Sequence, residues 1–282
     1  MQSANEEVYR LLNKINEEGS ESAPRGLKVR ELHMHTLKLS PNFPLMDFED
    51  RPFNFKYFMG EMAWYLLKDS NISYINNFSS FWNRIADHAG NINSNYGKLL
   101  FGEQLQWVLD SLKADINSRQ AIAFVNQPKF QYEGNKDFVC TMYLNFWVRD
   151  NKLNMKVQMR SNDIFYGLSY DAPFFAFIQQ SVWHWLRKTY PELELGMYYH
   201  SADNIHYYER HFNVAESIQS TQPKNPLFFQ LREPLFLISS GIMLPTTAGI
   251  KFIQDVQELI NSDETITQEI SREILTKYFF IQ

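Results

Sequence analysis

Residues 138–171 read FVCTMYLNFWVRDNKLNMKVQMRSNDIFYGLSYD, and this stretch decides the fold prediction. Two apolar-rich runs, 139–148 and 153–159, flank the short polar segment 149–152. Such runs on either side of a polar turn are typical of a β-hairpin. The next segment, 172–186, is long and apolar and predicts a buried helix.

The rest of the chain mixes helical and strand patterns. Apolar residues at helical spacing predict further helices at 5–17, 55–67, 105–113, 252–260 and 266–278. Strands are predicted at 29–39, 120–125 and 197–199. Since no strand–helix–strand unit repeats, the pattern indicates an α+β fold.

One polar stretch with two prolines, 220–226, is the best candidate for a boundary. We therefore predict one large domain over residues 1–221. Residues 222–282 then form a C-terminal extension that is mainly helical, and the sequence assigns it no role.

Composition narrows the possible functions. The chain has 282 residues, of which 44% are hydrophobic and 16% aromatic, enough for a sizeable core. A formal charge of −5 and a pI near 5.8 lack the basic surplus typical of nucleic-acid-binding proteins. The first residues are polar and acidic, and no apolar run approaches the roughly 18 residues of a membrane helix. We expect a cytoplasmic protein that binds neither nucleic acid nor membrane.

The chain has a single cysteine, Cys140. A lone thiol forms neither an intrachain disulfide nor a cysteine-based metal site, so it is either a buried structural residue or a nucleophile. The residues alone leave these two readings about equal. A soft nucleophile followed by Arg160 and by the carboxylates Asp163 and Asp171 suggests chemistry on a phosphorylated small molecule.

Several segments, in order, resemble the thymidylate synthase family over roughly residues 24–215. They are Pro24-Arg25-Gly26, Gly60-Glu61-Met62-Ala63-Trp64, Phe81-Trp82, Asn95-Tyr96-Gly97, Ser118-Arg119, Cys140, Arg160-Ser161-Asn162-Asp163, Gly167 and His206-Tyr207-Tyr208. The resemblance implies a large mixed β-sheet flanked by helices. It also implies an obligate homodimer formed through the sheet.

Within the family, three positions are more similar to the phage-type deoxycytidylate hydroxymethylases. Thr141 follows the cysteine where thymidylate synthases typically have histidine, and Ile85 replaces a second active-site tryptophan. The third position is Asp171, where thymidylate synthases have asparagine.

The chemistry of the base supports the reading of Asp171 independently. An asparagine amide matches the carbonyl and ring N–H of uracil. A carboxyl accepts from the exocyclic amine of cytosine and, when protonated, donates to its ring nitrogen. A buried mismatch costs about 1–3 kcal/mol, roughly ten- to a hundredfold in selectivity. Asp171 therefore predicts a cytosine nucleotide.

The resemblance also implies roles for individual residues. The catalytic set is Cys140, Glu61, Asp171, Tyr96 and Asn95. The nucleotide would be bound by Arg25, Arg119, Arg160, Ser161, Asp171, His206 and Tyr208. The folate would be bound by Trp82, Asp163, Gly167 and Tyr170.

Two features qualify this assignment. In the family one arginine pair of the phosphate clamp comes from the partner subunit, but here Arg119 is followed by Gln120 where a second arginine is usual. No metal is expected, because the histidines form no ligand pattern; His33 and His35 share a strand face but lack a third ligand.

The implied function is folate-dependent hydroxymethylation of a cytidine 5′-monophosphate, dCMP or CMP, at carbon 5. Cys140 would add to carbon 6, carbon 5 would attack the methylene group of 5,10-methylenetetrahydrofolate, and water would complete the product. Two alternatives remain. One is methyl transfer, as in thymidylate synthase or a dCMP methyltransferase. The other is a catalytically silent nucleotide-binding member.

Overall fold

A computed structural model describes residues 2–262 and 264–282. Its helices are Ala4–Glu18 (α1), Phe55–Leu67 (α2), Tyr96–Leu100 (α3), Glu103–Ala114 (α4), Ser169–Leu186 (α5), Phe212–Ser220 (α6), Thr247–Asn261 (α7) and Gln268–Tyr278 (α8). Its strands are Ser20–Ser22 (β1), Val29–Leu39 (β2), Ile122–Phe124 (β3), Thr141–Arg149 (β4), Lys152–Met159 (β5), Asn162–Asp163 (β6), Glu194–Tyr208 (β7), Phe229–Leu231 (β8), Phe236–Ser239 (β9), Ile242–Pro245 (β10) and Phe279–Ile281 (β11).

A seven-stranded mixed sheet organises the fold. Its order is β1-β2-β7-β5-β4-β3, with β6 paired to β7. The strands pair antiparallel except where β7 meets β5 and β6 in parallel. Helices flank this sheet, so the predicted α+β fold with a large mixed sheet is confirmed.

The predicted hairpin is formed by β4 and β5. Arg149 pairs with Lys152, which leaves Asp150 and Asn151 as a two-residue loop. Both have positive φ, at 51° and 57°. Asp and Asn tolerate this left-handed conformation better than most residues, and its twist matches that of the flanking strands. The hairpin places Cys140 just before β4 and Arg160 just after β5, beside each other.

The two faces of the sheet differ in composition. The inner positions of β4 and β5 are buried and apolar, among them Leu144, Phe146 and Met155. The outer positions are only partly buried, and Trp147 and Tyr199 stack there with ring centroids 5.8 Å apart. The inner face packs against the helices.

Helix α5 is the central buried helix. Its predicted start at 172 lies three residues inside the observed start, because a π-helical turn, Ile164–Leu168, leads directly into it. Asp163 begins that turn by accepting the backbone N–H groups of Phe165 and Tyr166 at 2.7 and 3.0 Å. The turn thereby joins the end of the hairpin to Asp171 in the first turn of α5.

Residues beyond the predicted boundary share the main core. Strands β8 and β11 pair with each other, and the rings of Phe229 and Phe279 stack with centroids 4.8 Å apart. Gln180 of α5 donates to the carbonyl of Phe229 and accepts from the N–H of Leu231. The strands β8–β11, like helices α3 and α6, are absent from the sequence prediction. The boundary at residue 221 stays a prediction.

Candidate active site

Arg160 holds the segment that carries the cysteine. Its guanidinium donates to the backbone carbonyls of Phe138 and Val139 and lies 3.4 Å from the Sγ atom of Cys140. Its backbone N–H also donates to the carbonyl of Cys140 at 2.9 Å. Arg160 therefore lies beside Cys140, as the sequence predicts. Its hydrogen bonds orient the backbone around the sulfur, and its positive charge favours the thiolate.

The pKa of Cys140 is set by two opposing causes. Although part of its surface is exposed, burial raises the pKa to about 11, and the positive charges of Arg160 and Arg25 lower it only in part. The charge of Arg160 thus lowers the thiol pKa by less than desolvation raises it. In the free protein the thiol therefore keeps its proton at neutral pH.

The other predicted phosphate ligands lie at different distances from the thiol. Arg25 is exposed in a short helical turn, Pro24–Gly26, and its charge acts on both Cys140 and His206. Ser161 follows Arg160 directly and is partly buried. Arg119 is exposed in the loop between α4 and β3, and among the described residues none of the predicted site residues contacts it.

Glu61 is a buried carboxyl within α2. Its Oε1 atom accepts from the hydroxyl of Tyr57 at 2.8 Å and from that of Tyr65 at 3.1 Å. Burial raises the pKa of Glu61 to about 8, a nearby negative charge on Asp171 adds to the rise, and the two tyrosines oppose it. Glu61 is therefore a carboxyl that holds a proton near neutral pH, as proton transfer requires.

Asp171 ends a line of hydrogen bonds that starts in strand β7. Tyr198 bonds the Nδ1 atom of His200 at 2.6 Å, and the Nε2 atom of His200 bonds the Oδ1 atom of Asn162 at 3.0 Å. Asn162 then donates from Nδ2 to the Oδ2 atom of Asp171 at 2.7 Å. Burial raises the pKa of Asp171 to about 7, and the bond from Asn162 lowers it in part.

Tyr96 and Asn95 begin helix α3 but differ in what they contact. Tyr96 is buried, stacks on Tyr65, and is close enough to Asp171 and Cys140 for their charges to raise the pKa of its hydroxyl. Asn95 is fully buried and caps the helix, accepting from Lys98 N–H and donating to two backbone carbonyls. These bonds give Asn95 a structural role, and its membership of the catalytic set stays a prediction.

The residues predicted to bind folate surround one corner of this site. Asp163 uses Oδ1 for two backbone bonds, while its Oδ2 atom is buried and has no hydrogen-bond partner among the described residues. Burial raises the pKa of Asp163 to about 6. An oxygen of this kind fits an N–H donor of a bound pterin.

Two aromatic side chains and one glycine complete the predicted folate set. Trp82 is buried and donates to the hydroxyl of Tyr57 at 3.2 Å. Tyr170 meets the same Tyr57 ring edge-on at 4.5 Å. Gly167 lies against Asn162: a Cβ atom there would be 2.6 Å from the Asn162 amide, so this glycine makes room for the bond between Asn162 and Asp171. Its predicted contact with the folate stays a prediction.

His206 and Tyr208 have the predicted arrangement. Both are partly buried on one face of β7, with Tyr207 buried on the other, and their rings meet edge-on at 5.3 Å. Burial lowers the pKa of His206 to about 4, so it is neutral, and its Nδ1 atom bonds Asn204. A neutral imidazole beside a phenol suits hydrogen bonding to a sugar hydroxyl.

The described residues contain neither a membrane-spanning helix nor a metal-binding group. Within residues 2–262 and 264–282 no helix is long and apolar enough to cross a membrane. Over the same residues, no group of three or more His, Cys, Asp or Glu side chains could hold a metal ion.

Comparison with known families identifies the fold. The family model described as thymidylate synthase matches residues 7–234, which is most of the chain. The chain belongs to the thymidylate synthase family. The predicted resemblance is thus confirmed, and the match extends past the predicted boundary at residue 221.

Three relatives of this thymidylate synthase family member are phage enzymes. A deoxycytidylate 5-hydroxymethyltransferase of Enterobacteria phage T6 is 30% identical over 183 residues, covering 59% of this chain and 74% of the relative. The enzyme of the same description from Enterobacteria phage T4 is 29% identical with the same coverage. A deoxyuridylate hydroxymethyltransferase of Bacillus phage SP01 is 27% identical over 294 residues, covering 96% of this chain and 70% of the relative.

The thymidylate synthase family binds a nucleoside monophosphate and uses methylenetetrahydrofolate as co-substrate, which agrees with the predicted partners of this chain. Sequence reasoning missed Tyr57 and Tyr65, although their spacing of four residues from Glu61 on one helix was a usable signal. It also missed Asn162, His200 and Tyr198. Residues 198 and 200 share a strand face, but nothing in the sequence connects them to Asn162.

Proposed function

We propose that the protein hydroxymethylates a cytidine 5′-monophosphate, dCMP or CMP, at carbon 5 of the base. The observation that carries the proposal is Asp171, a carboxyl with a pKa raised to about 7 by burial. Near neutral pH such a group is protonated in a large fraction of molecules. It can then donate to ring nitrogen 3 of cytosine while its other oxygen accepts from the exocyclic amine.

Cys140 supplies the nucleophile. Its sulfur adds to carbon 6 of the pyrimidine, which makes carbon 5 electron-rich, and the thiol proton leaves. Arg160 stabilises the thiolate at 3.4 Å while it fixes the backbone on either side of the sulfur. The raised pKa of the free thiol means that thiolate formation is coupled to nucleotide binding, since the bound base consumes the thiolate as it forms.

Glu61 acts on protons and water. It lies within electrostatic reach of Asp171, and two tyrosine hydroxyls fix its Oε1 atom. A carboxyl with a pKa of about 8 both holds and releases a proton near neutral pH. We assign it the positioning of the water that becomes the new hydroxyl group.

The folate binds beside this chemistry. When bound, methylenetetrahydrofolate supplies a one-carbon unit that carbon 5 of the base takes up. The unpartnered Oδ2 atom of Asp163 and the rings of Trp82 and Tyr170 would hold the pterin. The phosphate of the nucleotide is held by Arg25, Arg160 and Ser161, with His206 and Tyr208 on the sugar.

A homodimer completes the site in this proposal. Arg119 is exposed and, among the described residues, touches none of the site of its own chain. The outer face of the sheet carries the stacked pair Trp147 and Tyr199, as a sheet-to-sheet interface requires. Packing two copies through this face would let Arg119 reach the phosphate of the partner's site.

Hydroxymethylation of deoxyuridylate is the second candidate. It is favoured by one observation: the relative that covers 96% of the chain bears that description. Asp171 argues against it, because a carboxyl that donates at position 3 and accepts at position 4 would meet the ring N–H of uracil with a donor and its carbonyl with an acceptor. Such a buried mismatch costs about 1–3 kcal/mol, roughly ten- to a hundredfold in selectivity.

Product masses test the proposal. The protein is incubated with methylenetetrahydrofolate and each of CMP, dCMP, UMP and dUMP, and the products are weighed. A hydroxymethyl group on a cytosine nucleotide is expected. A methyl product or formation of dihydrofolate would contradict hydroxymethylation, and turnover of uracil nucleotides alone would contradict the choice of base. Binding without any turnover would leave a silent nucleotide-binding protein.

The variant Asp171→Asn tests base recognition directly. Because an amide matches uracil, the ratio of kcat/KM for dCMP over dUMP should fall by at least tenfold. Cys140→Ala is the matched control, since it removes turnover of both nucleotides without changing which base is bound. An unchanged ratio in Asp171→Asn would refute the role of Asp171.

A further inference from the structure

Behind Asp171 lies a line of three buried polar side chains that the chemistry above does not use. Tyr198 and His200 are fully buried and Asn162 is 4% exposed. The bonds are 2.6 Å from Tyr198 to His200, 3.0 Å from His200 to Asn162 and 2.7 Å from Asn162 to Asp171. Buried polar groups of this kind are costly to keep, so their arrangement calls for a function.

The direction of each hydrogen bond in this line follows from the groups themselves. Burial holds the Tyr198 hydroxyl in its protonated form and lowers the pKa of His200 to about 3, so the imidazole is neutral. Asn162 donates from Nδ2 to Asp171, so its Oδ1 atom faces His200 and accepts from Nε2–H. Because a neutral imidazole has one donor and one acceptor nitrogen, Nδ1 is then the acceptor, and Tyr198 donates to it.

The same bonds hold the amide of Asn162 in this orientation. Its Oδ1 atom accepts from His200, while its nitrogen faces Asp171 and donates to the Oδ2 atom. Rotating the amide by half a turn would set its nitrogen against His200 Nε2–H, donor against donor. Of the two oxygens of Asp171, Oδ2 is thus kept as an acceptor.

Packing around the amide reinforces this orientation. Gly167 lies against Asn162, and a Cβ atom there would come within 2.6 Å of Nδ2 and 3.3 Å of Asp171 Oδ2. The parallel pairing of β6 with β7, which sets Asn162 opposite Ile205, holds the backbone of Asn162 in register. Asn162 therefore has little freedom to retreat from Asp171.

We propose that Tyr198, His200 and Asn162 form a positioning relay that makes Asp171 selective for cytosine. An amide donor favours the carbonyl-like oxygen of a carboxylic acid over its hydroxyl oxygen, so the proton of Asp171 resides on Oδ1. Oδ1 then donates to ring nitrogen 3, and Oδ2 also accepts from the exocyclic amine. Uracil would need the opposite placement, with a donor facing its carbonyl. The inference rests on the proposed function, since it concerns how the same site selects its base.

Four variants and one control test the relay. Dissociation constants for dCMP and dUMP are measured by calorimetry without folate, kcat/KM is measured for both, and thermal unfolding reports on stability. We expect Asn162→Ala and His200→Leu to lower the dCMP-over-dUMP ratio about tenfold, the effect of one lost hydrogen bond. Tyr198→Phe should lower it several-fold. His200→Gln, which retains a donor for Asn162, should keep most of it.

The matched control is Tyr207→Phe. Tyr207 is fully buried in the same strand, but its hydroxyl lies near Arg30 and outside the relay. Removing it should leave the nucleotide ratio at the wild-type value. If any other relay variant fails to fold, Tyr198→Phe differs least from the wild type and carries the decision.

The possible outcomes separate the two proposals. Folded Tyr198→Phe and His200→Leu proteins that keep the wild-type ratio, or lose affinity for both nucleotides equally, would overturn the relay while leaving cytosine selection by Asp171 intact. A wild-type protein that prefers dUMP, or binds neither nucleotide, would overturn the proposed function and the relay together. A shift confined to the relay variants supports both.

Discussion

Arg160 makes more contacts within the protein than the binding of a phosphate alone would require. Its side chain donates to the carbonyls of Phe138 and Val139 and approaches the sulfur of Cys140. Loss of this arginine would therefore both weaken nucleotide binding and loosen the nucleophile. A lysine could replace its charge but not its several donors, so Arg160→Lys is not a conservative change here.

Glu61→Gln separates a proton-transfer role from a structural one. An amide of the same shape cannot hold or release the proton, so kcat should fall at least a hundredfold, while nucleotide affinity changes little. The measurement is steady-state turnover together with calorimetric titration of dCMP. Turnover within threefold of the wild type would contradict the role of Glu61.

The same variant has an expected pH signature in stability. Since burial raises the pKa of Glu61 from 4.5 to about 8, the folded protein keeps this proton at pH values where the unfolded chain loses it. The contribution of Glu61 to stability is fully present below pH 4.5 and is lost as the pH rises to about 8. Relative to the wild type, Glu61→Gln should gain a few kcal/mol over this range, measured by denaturant unfolding. Glu258→Gln, an exposed change in α7, should show no such trend.

At the scale of elements, the sequence predicts best where local pattern decides. The hairpin β4–β5 follows from two apolar runs and a polar turn, and α2 follows from its dense apolar residues. The sequence predicts strand β7 only at 197–199, because polar residues such as Ser201 and Asn204 interrupt its apolar pattern while the sheet still pairs them. Strands β8 and β11 pair across about fifty residues, which no local pattern reveals.

The candidate site also contains residues that the local sequence predicts and residues that it does not. Cys140, Arg160 and Asp171 could be predicted because they occur in one recognisable block. The function of Asn162 could not, since it depends on Tyr198 and His200, which reach it only through the parallel pairing of β6 and β7. Contacts that depend on register between distant strands are set by the tertiary fold.

We expect Asn95 to act mainly through helix α3. Its side chain caps α3 and donates to the carbonyls of Trp64 and Asp69, which ties α3 to the end of α2. Asn95→Ala should destabilise the fold by roughly 2–4 kcal/mol, from the lost cap and two unpaired buried carbonyls. Denaturant unfolding measures this.

Asn95→Asp is the matched control for the cap. A carboxylate keeps the acceptor for Lys98 N–H but loses both donors, so it should recover only part of the stability. Turnover of Asn95→Ala measured well below its unfolding midpoint should remain within tenfold of the wild type. A greater loss in protein shown to be folded would return Asn95 to the catalytic set.

At the scale of the whole molecule, residues 222–262 and 264–282 pack on the helices and strands that precede them. Helices α7 and α8 pack on α2, the helix that carries Glu61, and Asp255 of α7 accepts from Lys277 and Tyr278 of α8 at 2.9 Å each. These hydrogen bonds hold α7 and α8 together where both helices pack on α2. This packing connects α7 and α8 with the position of Glu61. Both helices lie outside the catalytic domain that the sequence predicts.

The proposed dimer can be tested with mixed dimers. If Arg119 acts in the partner's site, a dimer of one Cys140→Ala chain and one Arg119→Ala chain keeps one complete site: the Arg119→Ala chain contributes Cys140, and its partner contributes Arg119. Each chain carries a different affinity tag, both are co-expressed, and dimers holding both tags are purified. They should show about half of the wild-type activity, because one of two symmetric sites is intact.

The control for this experiment is a dimer of Cys140→Ala with Arg160→Ala. Arg160 contacts Cys140 of its own chain, so neither site of that dimer is complete and no activity should return. Activity confined to the Arg119 pairing would place that arginine across the interface. Equal inactivity of both mixed dimers would put Arg119 in the site of its own chain, and full activity of Arg119→Ala alone would remove it from the phosphate clamp. A protein that stays monomeric by light scattering at assay concentration would contradict the shared site altogether, because a lone chain would then have to bind the phosphate with Arg25, Arg160 and Ser161 only.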